Sequence, residues 1–154
     1  YEVDASHILR ETLAALSPEI REHRLVLLSE VKDGVILNSR QERVTEIFGN
    51  IIRNAIRYNR EGGSISVLLT CEEFRVSDTG IGISEENLGR IFDRFFTVDK
   101  SHSGKNGGFG LGLSVVRKLC RKQGWQLSVE SKEGAGSTFR VGFPQEKNKN
   151  VQKN

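Results

Sequence analysis

Two asparagines, Asn50 and Asn54, lie four residues apart, so on a helix their side chains project from the same edge. Glu46 lies one turn before them, and Arg57 and Tyr58 lie one turn after. Asparagine is a mediocre helix former, so two of them at this spacing among apolar neighbours indicate amide oxygens directed at a metal ion or a phosphate. A solvated helix face is the alternative interpretation of the same spacing.

An aspartate and two glycines follow a later predicted strand, with Asp78 at the strand end and then Gly80 and Gly82. Glycine lets a ligand approach the backbone closely, although an ordinary turn uses the same residues. A carboxylate accepts a hydrogen bond from the exocyclic amine of adenine, whereas guanine carries an acceptor at that position. If this segment binds a nucleotide, Asp78 therefore predicts selection of ATP over GTP.

A glycine-rich run, with Gly107, Gly108, Gly110 and Gly112, leads into an apolar helical pattern over 114–124. Glycines before a helix start favour an anion site, because free N–H groups and the helix dipole both point at the ligand. The run lacks the Gly-Lys-Ser/Thr of a P-loop, and no acidic residue ends a strand roughly 20 residues on, as a dinucleotide-binding fold requires. Phosphate is the ligand that this run predicts.

Three helices are predicted to position these residues. Apolar spacing predicts the first over 6–22, with Ser6 as its N-cap and with Pro18 placing its last turn in doubt. A continuous apolar stripe predicts the second within 39–59, and that helix must pack on a sheet. The third covers 114–124, after the glycine-rich run.

Six strands with named bounds are predicted, over 24–31, 35–38, 65–70, 74–77, 126–131 and 138–143. The Asp33-Gly34 pair between the first two of them predicts a β-hairpin. Together with the helices, the predicted element order is β-α-β-β-α-β-β-α-β-β.

The composition bounds the class of protein. The 154 residues, 36% hydrophobic and 28% charged, suit one soluble α/β or α+β domain. The 23 basic side chains are interleaved with 20 acidic ones, which disfavours a nucleic-acid-binding role despite the net charge of +3. The polar segment 145–154 is interpreted as a disordered tail that follows a domain over 1–144.

The two cysteines and the hydropathy pattern indicate the compartment. Cys71 and Cys120 form no Cys-x-x-Cys pair, so they predict buried thiols in a reducing compartment and no zinc or redox site. No apolar run approaches the roughly 20 residues of a membrane span, and the start has neither a Met nor a signal-peptide pattern. We therefore expect a fragment from the cytoplasmic part of a longer protein.

Four motifs resemble, in order and spacing, the N, G1, F and G2 boxes of the histidine kinase catalytic domain. The segment 50–58 resembles the N box, 78–82 the G1 box, 91–96 the F box and 108–113 the G2 box, and 134–139 is similar to the final glycine element of that family. Four boxes in order are a specific match, and the resemblance covers nearly the whole chain.

The resemblance implies an α/β fold, built as an α+β two-layer sandwich in which a mixed β-sheet of about five strands packs on three helices. A flexible ATP lid would cover about 97–107. Within the lid, Lys100, His102 and Lys105 are alternatives for reaching phosphate oxygens.

The resemblance also implies roles for individual residues. Asn54 would bind Mg²⁺, Asn50 would support the phosphates, and Asp78 would receive the adenine amine. The other ATP-binding residues that it implies are Arg57, Tyr58, Gly80, Gly82, Ile83, Phe92, Lys105, Gly108, Gly110, Leu111, Gly112, Leu113 and Thr138.

One position separates this chain from the wider superfamily. The gyrase, mismatch-repair and chaperone ATPases carry a water-activating Glu four residues before the metal-binding Asn, and here that position is Asn50. An amide cannot act as a general base, so we expect no efficient hydrolysis. The resemblance implies Asn50 and Asn54 as the catalytic residues of a phosphoryl transfer. Glu46, one turn further back, is interpreted as structural.

His7 lies in a segment that superficially resembles the phospho-acceptor box of the family. The segment lacks the acidic residue after the histidine and the proline of that box, and too little chain follows for a two-helix dimerisation hairpin. The acceptor histidine is therefore expected on a separate domain.

The sequence thus predicts the catalytic domain of a protein-histidine kinase from a bacterial two-component system. It would bind ATP and Mg²⁺ and donate the γ-phosphate to a histidine on the dimerisation domain of the same kinase, with a response regulator downstream. We expect a monomeric fragment, inactive alone, that binds no nucleic acid, from a parent that is a membrane sensor. The alternative is a nucleotide-sensing interaction module without phosphoryl transfer.

Overall fold

The computed structural model describes residues 1–94, 96 and 112–145. The predicted lid at 97–107 and the segment 146–154 lie outside the described residues. The elements are β1 (Glu2–Asp4), α1 (Ala5–Glu22), β2 (Val26–Val31), β3 (Ile36–Asn38), α2 (Gln41–Arg57), β4 (Ser64–Leu69), β5 (Glu73–Asp78), α3 (Glu85–Leu88), α4 (Gly112–Gln123), β6 (Gln126–Lys132) and β7 (Gly136–Gly142).

The main sheet is mixed and five-stranded, in the order β2-β4-β5-β7-β6. β2 runs parallel to β4, and the other neighbours are antiparallel. Along β4 the side chains of Ile65, Val67 and Leu69 are buried, whereas Ser66 between them is exposed. This alternation places the apolar core on one face of the sheet, under the helices. The predicted sandwich of helices on a mixed sheet is confirmed. The three predicted helices are α1, α2 and α4, and the four-residue α3 was not predicted.

α2 lies at the centre of the helical layer, between α1 and α4. Its buried side chains repeat every three or four residues, which gives one apolar stripe against the sheet. Within this stripe Phe48 packs on Phe74 of β5, with ring centroids 4.2 Å apart. Because the stripe is held by the core, the edge that carries Asn50 and Asn54 has one fixed direction.

The start of α1 differs from the prediction. Asp4, not Ser6, is the N-cap, because the Asp4 carboxylate accepts the His7 N–H at 3.0 Å. Ser6 is buried inside the first turn, where its hydroxyl donates to the Lys32 carbonyl and accepts from the Val35 N–H at 2.9 Å. A serine at a predicted helix start indicates an N-cap, but here the Ser6 hydroxyl bonds to the distant residues Lys32 and Val35.

α1 continues through Pro18 to Glu22. Pro18 has no N–H for the carbonyl of Ala14, one turn earlier. The Ser17 hydroxyl donates to that carbonyl at 2.9 Å and replaces part of the missing hydrogen bond. The doubt about the last turn was therefore unfounded.

The predicted hairpin around Gly34 is wrong. β2 pairs with β4, and β3 pairs antiparallel with β1. The two backbone groups that would close a hairpin, the Lys32 carbonyl and the Val35 N–H, are both bonded to the Ser6 hydroxyl. The Val35 carbonyl accepts from the Ala5 N–H at 2.8 Å. The start of α1 therefore holds this turn open.

The two cysteines lie in different environments. Cys120 is buried on α4, and burial raises the pKa of its thiol to about 12, because a thiolate there would lose its hydration. Cys71 is exposed in the β4–β5 turn, where no core is available to cover it. The prediction of two buried thiols is correct for Cys120 and wrong for Cys71.

No helix among the described residues has both the length and the apolar character of a membrane span.

Candidate functional site

The polar edge of α2 begins at Asn50, whose side-chain amide is held in one orientation. Its Nδ2 donates to the Glu46 carbonyl at 2.8 Å and to the Glu46 carboxylate at 3.0 Å. Its Oδ1 accepts from Arg53 at 3.3 Å. A Cβ added to Gly112 would lie 3.1 Å from that oxygen, so the start of α4 lies directly beside Asn50. The predicted asparagine edge and the end of the glycine-rich run therefore meet.

Asn54 lies one turn beyond Asn50 and is half-buried. Its side-chain amide has no hydrogen-bond partner among the described residues, which leaves its oxygen available as a ligand. The described part of the chain holds no cluster of three His, Cys, Asp or Glu side chains that could bind a metal. Mg²⁺ suits such a site, because it takes most of its oxygens from phosphates and water and only one or two from protein. The residues present therefore fit Mg²⁺.

The end of α2 carries a cation beside an aromatic ring. The Arg57 guanidinium lies over the Tyr58 ring, 5.6 Å from its centroid, and both residues are half-buried. The Tyr58 carbonyl accepts the Ile81 N–H at 3.0 Å. The end of the asparagine edge is therefore bonded to the loop that follows β5.

Asp78 ends β5 and faces two backbone donors. Its Oδ1 accepts from the N–H of Gly80 at 2.8 Å and from the N–H of Ser137 at 3.3 Å. Burial raises the pKa of Asp78, and these two hydrogen bonds offset part of that rise. Within the described residues no hydrogen bond reaches Oδ2. Oδ2 can therefore accept the amine of a ligand.

Three glycines around Asp78 lie where a side chain has no room. A Cβ on Gly80 would collide with the carbonyl oxygen of the residue just after α2. A Cβ on Gly82 would collide with the carbonyl oxygen at the end of β6, and a Cβ on Gly136 would collide with the carbonyl oxygen of Asp78. Gly82 and Gly136 also have positive φ values of 70° and 115°, which glycine adopts without strain. These glycines let separate backbone segments of the protein approach one another, a role that the sequence pattern did not indicate.

A serine network links the Asp78 loop to the last hairpin. The Ser131 hydroxyl accepts from the Ile83 N–H at 2.8 Å and donates to the Gly136 carbonyl at 3.0 Å. It also lies 2.8 Å from the Ser137 hydroxyl. Sequence reasoning missed Ser131 and Ser137, because single serines in a strand pattern carry no signal of their partners.

The remaining predicted site residues are placed as follows. Thr138 lies on β7, and its hydroxyl is 2.9 Å from that of Ser77. Phe92 packs edge-on against Phe139, with ring centroids 6.3 Å apart, and Leu113 packs on the core from α4. Predicted residues that lie outside the described part of the chain are Lys105, Gly108, Gly110 and Leu111, together with Lys100 and His102.

Residues 39–147 match the protein-family model described as histidine kinase-, DNA gyrase B- and HSP90-like ATPase. The chain is 36% identical over 110 residues to the sensor histidine kinase WalK of Bacillus subtilis, in a match that covers 68% of this chain and 18% of WalK. It is 33% identical over 154 residues to hybrid signal transduction histidine kinase B of Dictyostelium discoideum, which covers 94% of this chain and 8% of that protein. The chain thus spans less than a fifth of the length of these two relatives.

Solved structures show the same architecture. The catalytic domain of the histidine kinase ThkA is similar with a TM-score of 0.78 and 25% identity, over 94% of both chains. Full-length ShkA in complex with AMPPNP is similar with a TM-score of 0.77 and 25% identity, over 94% of this chain and 30% of ShkA. This chain belongs to the histidine kinase-, DNA gyrase B- and HSP90-like ATPase family, as a catalytic ATP-binding domain of the sensor histidine kinase type.

Proposed function

We propose that this domain binds Mg-ATP and donates the γ-phosphate to a histidine on a separate dimerisation domain of the same kinase, with a response regulator as the next acceptor. One observation carries the proposal: the polar edge of α2 is bounded by Gly112 beside Asn50 at one end and by the Asp78 loop, bonded to Tyr58, at the other. An elongated ligand with a base at one end and phosphates at the other matches this arrangement.

The described residues divide the work between the two ends. The free oxygen of Asp78 accepts the adenine amine and selects against guanine. The start of α4 supplies positive potential for the phosphates. The Arg57 guanidinium, over the Tyr58 ring, lies at the end of the edge that would hold the base. Asn54 holds Mg²⁺, which neutralises charge on the phosphate oxygens when it is bound.

Asn50 supports transfer to a histidine over transfer to water. Its amide, held by Glu46 at 3.0 Å, can orient a phosphate but cannot remove a proton. The nucleophile must then be one that can attack without a general base to remove its proton first, and a neutral imidazole is such a nucleophile. His7 is exposed on α1, where it pairs with Glu11 at 3.3 Å. Its segment lacks the acidic residue and the proline of the phospho-acceptor box, so the acceptor is assigned to another domain.

The test is phosphoryl transfer to the dimerisation domain of the parent kinase, with ATP labelled at the γ-phosphate. The domain alone should remain unlabelled, and the mixture should label the acceptor domain with an acid-labile phosphate. A variant with the acceptor histidine replaced by Gln is the matched control and should stay unlabelled. Tight ATP binding with no label on the acceptor would contradict the proposal and favour the nucleotide-sensing module.

We also propose that the catalytic domain spans 1–144. We further propose that it lies on the cytoplasmic side of a parent that is a membrane sensor, and the names of its relatives as sensor kinases support this location. Fractionation of the full-length parent should place it in the membrane, with this domain cleaved by protease only from the cytoplasmic side. Recovery of the parent in the soluble fraction would contradict it.

A further inference from the structure

The Arg60 side chain, just beyond the end of α2, reaches the backbone of two other segments. Its Nε donates to the Thr79 carbonyl at 2.9 Å, and its Nη2 donates to the Gly80 carbonyl at 3.5 Å. Nη2 also donates to the Gly134 carbonyl in the β6–β7 turn. One guanidinium therefore joins the end of α2, the loop after Asp78 and the turn before β7.

The same two segments supply the donors that orient Asp78. The Gly80 N–H, at 2.8 Å, comes from the loop, and the Ser137 N–H, at 3.3 Å, comes from the strand that follows the turn. Movement of either segment would move a donor on Oδ1 and so turn Oδ2 away from its ligand. Arg60 touches both segments on their carbonyl side and contacts neither oxygen of Asp78 in the described structure.

We propose that Arg60 is a positioning residue that sets the orientation of the Asp78 carboxylate and thereby the preference for adenine over guanine. This inference rests on the proposed nucleotide site. Arginine suits the task because its planar group has five N–H donors in a fixed fork, whereas lysine offers one nitrogen that cannot span three carbonyls.

Removal of Arg60 should leave the fold intact. Arg60 is exposed, so its loss opens no cavity, and water can solvate the carbonyls that it leaves. Two backbone hydrogen bonds continue to hold the loop, from Ile81 to Tyr58 at 3.0 Å and from Gly134 to Ile81 at 2.7 Å. The expected change is therefore a looser Asp78.

The first experiment compares binding of AMPPNP and of the corresponding GTP analogue, each with Mg²⁺, by calorimetry. We expect Arg60→Ala to weaken AMPPNP binding about tenfold and to leave the GTP analogue unchanged, so that the ratio of the two affinities falls. Arg60→Lys should restore part of the ratio. The matched control is Arg75→Ala, which removes the same charge from an exposed arginine that pairs with Glu73 at 3.8 Å on the open face of the sheet; both affinities should stay at the wild-type value.

The ratio separates positioning from two simpler roles. If Arg60 only attracted phosphates, or only stabilised the fold, Arg60→Ala would weaken both analogues by the same factor. That result, with an unchanged ratio, would overturn the inference.

A second experiment needs no nucleotide. In the free domain, the Gly80 and Ser137 amides should exchange with deuterium about tenfold faster in Arg60→Ala than in the wild type, with exchange in α1 unchanged. Unchanged exchange at both amides would overturn the role of Arg60. If the wild type bound neither analogue, the proposed function would fail, whereas the exchange data would still report whether Arg60 holds the loop.

Discussion

The polar edge of α2 and the loop around Asp78 belong to one candidate site, but they are built in different ways. On α2 the functional side chains project from a regular helix whose opposite face is buried, so a side chain can be removed without loss of the helix. In the loop, Gly80 and Gly82 lie against carbonyls of two other segments, and Gly136 of β7 lies against the carbonyl of Asp78, so the chain has to pack before the loop has a shape. Substitutions on the helix should therefore change ligand affinity without changing the free energy of unfolding, whereas substitutions in the loop should change both.

The largest effect is expected from Gly136→Ala. Gly136 has a φ of 115°, and a Cβ there would collide with the Asp78 carbonyl, so we expect a loss of about 3 kcal/mol in the free energy of unfolding. Urea denaturation measures this loss.

The matched control is Gly134→Ala in the same turn. Gly134 has a φ of 84°, but nothing lies within 4 Å of an added Cβ. That variant should lose only about 1 kcal/mol, from backbone strain alone. Equal losses in the two variants would show that positive φ decides the stability of this turn and that the close approach to Asp78 does not.

The next effect is expected from Asn54→Ala, which should weaken Mg²⁺-dependent binding of AMPPNP about a hundredfold. The free energy of unfolding should change by less than about 0.5 kcal/mol, because the side chain is half-buried without a described partner and alanine favours the helix. Calorimetry with and without Mg²⁺, together with urea denaturation, measures the two quantities. Thr45→Ala, on the exposed surface of the same helix, is the control. A large loss of stability in Asn54→Ala would break the distinction between helix and loop.

Asp78→Asn should have a smaller and opposite effect on stability. The Asn oxygen can still accept from the Gly80 and Ser137 N–H groups, and the buried charge is gone, so the free energy of unfolding at pH 7 should rise by up to about 1 kcal/mol. The preference for the ATP analogue over the GTP analogue should be lost, because an amide N–H would then face the adenine amine.

The pH dependence of that difference has a definite sign. Because the pKa of Asp78 is raised above its ordinary value of 3.8 in the folded state, the folded protein binds this proton more readily than the unfolded chain does. The wild type therefore loses stability as the pH rises from 3.8 through the folded pKa, and its deficit against Asp78→Asn should disappear as the pH falls back through that window. Denaturation at pH 7 and near pH 3, below both pKa values, measures it, and a deficit that persisted at the lower pH would contradict burial of the charge as its cause.

The smallest effect is expected at Glu46. Glu46→Gln keeps a side-chain acceptor for the Asn50 amide and should change AMPPNP affinity by less than about twofold. Glu46→Ala should weaken AMPPNP affinity about threefold, because the exposed side-chain hydrogen bond is lost while the bond to the Glu46 carbonyl at 2.8 Å remains. Calorimetry on the two variants measures the difference. A tenfold loss in both would mean that the carboxylate itself takes part in the site.

The side-chain positions on the edge of α2 could be predicted from the sequence, whereas the contacts of the loop around Asp78 could not, because only the former depend on neighbouring residues. The apolar stripe of α2 and the spacing of Asn50 and Asn54 follow from the period of a helix, so a local pattern was enough. The sequence singled out Asp78 as a candidate acceptor because it stands before paired glycines, although an ordinary turn uses the same residues. The backbone donors to Asp78 could not be predicted, because the Ser137 N–H comes from a strand 59 residues later. The role of Arg60 was not predictable either, because the carbonyls that it reaches belong to residues 19 to 74 positions later.

The sequence by itself determined the family and the order of the strands and the three long helices, although not the short α3, because periodicity and motif spacing are properties of neighbouring residues. The same motifs predict the site residues. Only the tertiary structure decided that β2 pairs with β4, that Asp4 caps α1 in place of Ser6, and that Arg60 joins the loop to the last turn. Each of these depends on which backbone N–H or carbonyl group comes within reach once distant segments pack, and buried backbone groups take the partners that packing brings to them.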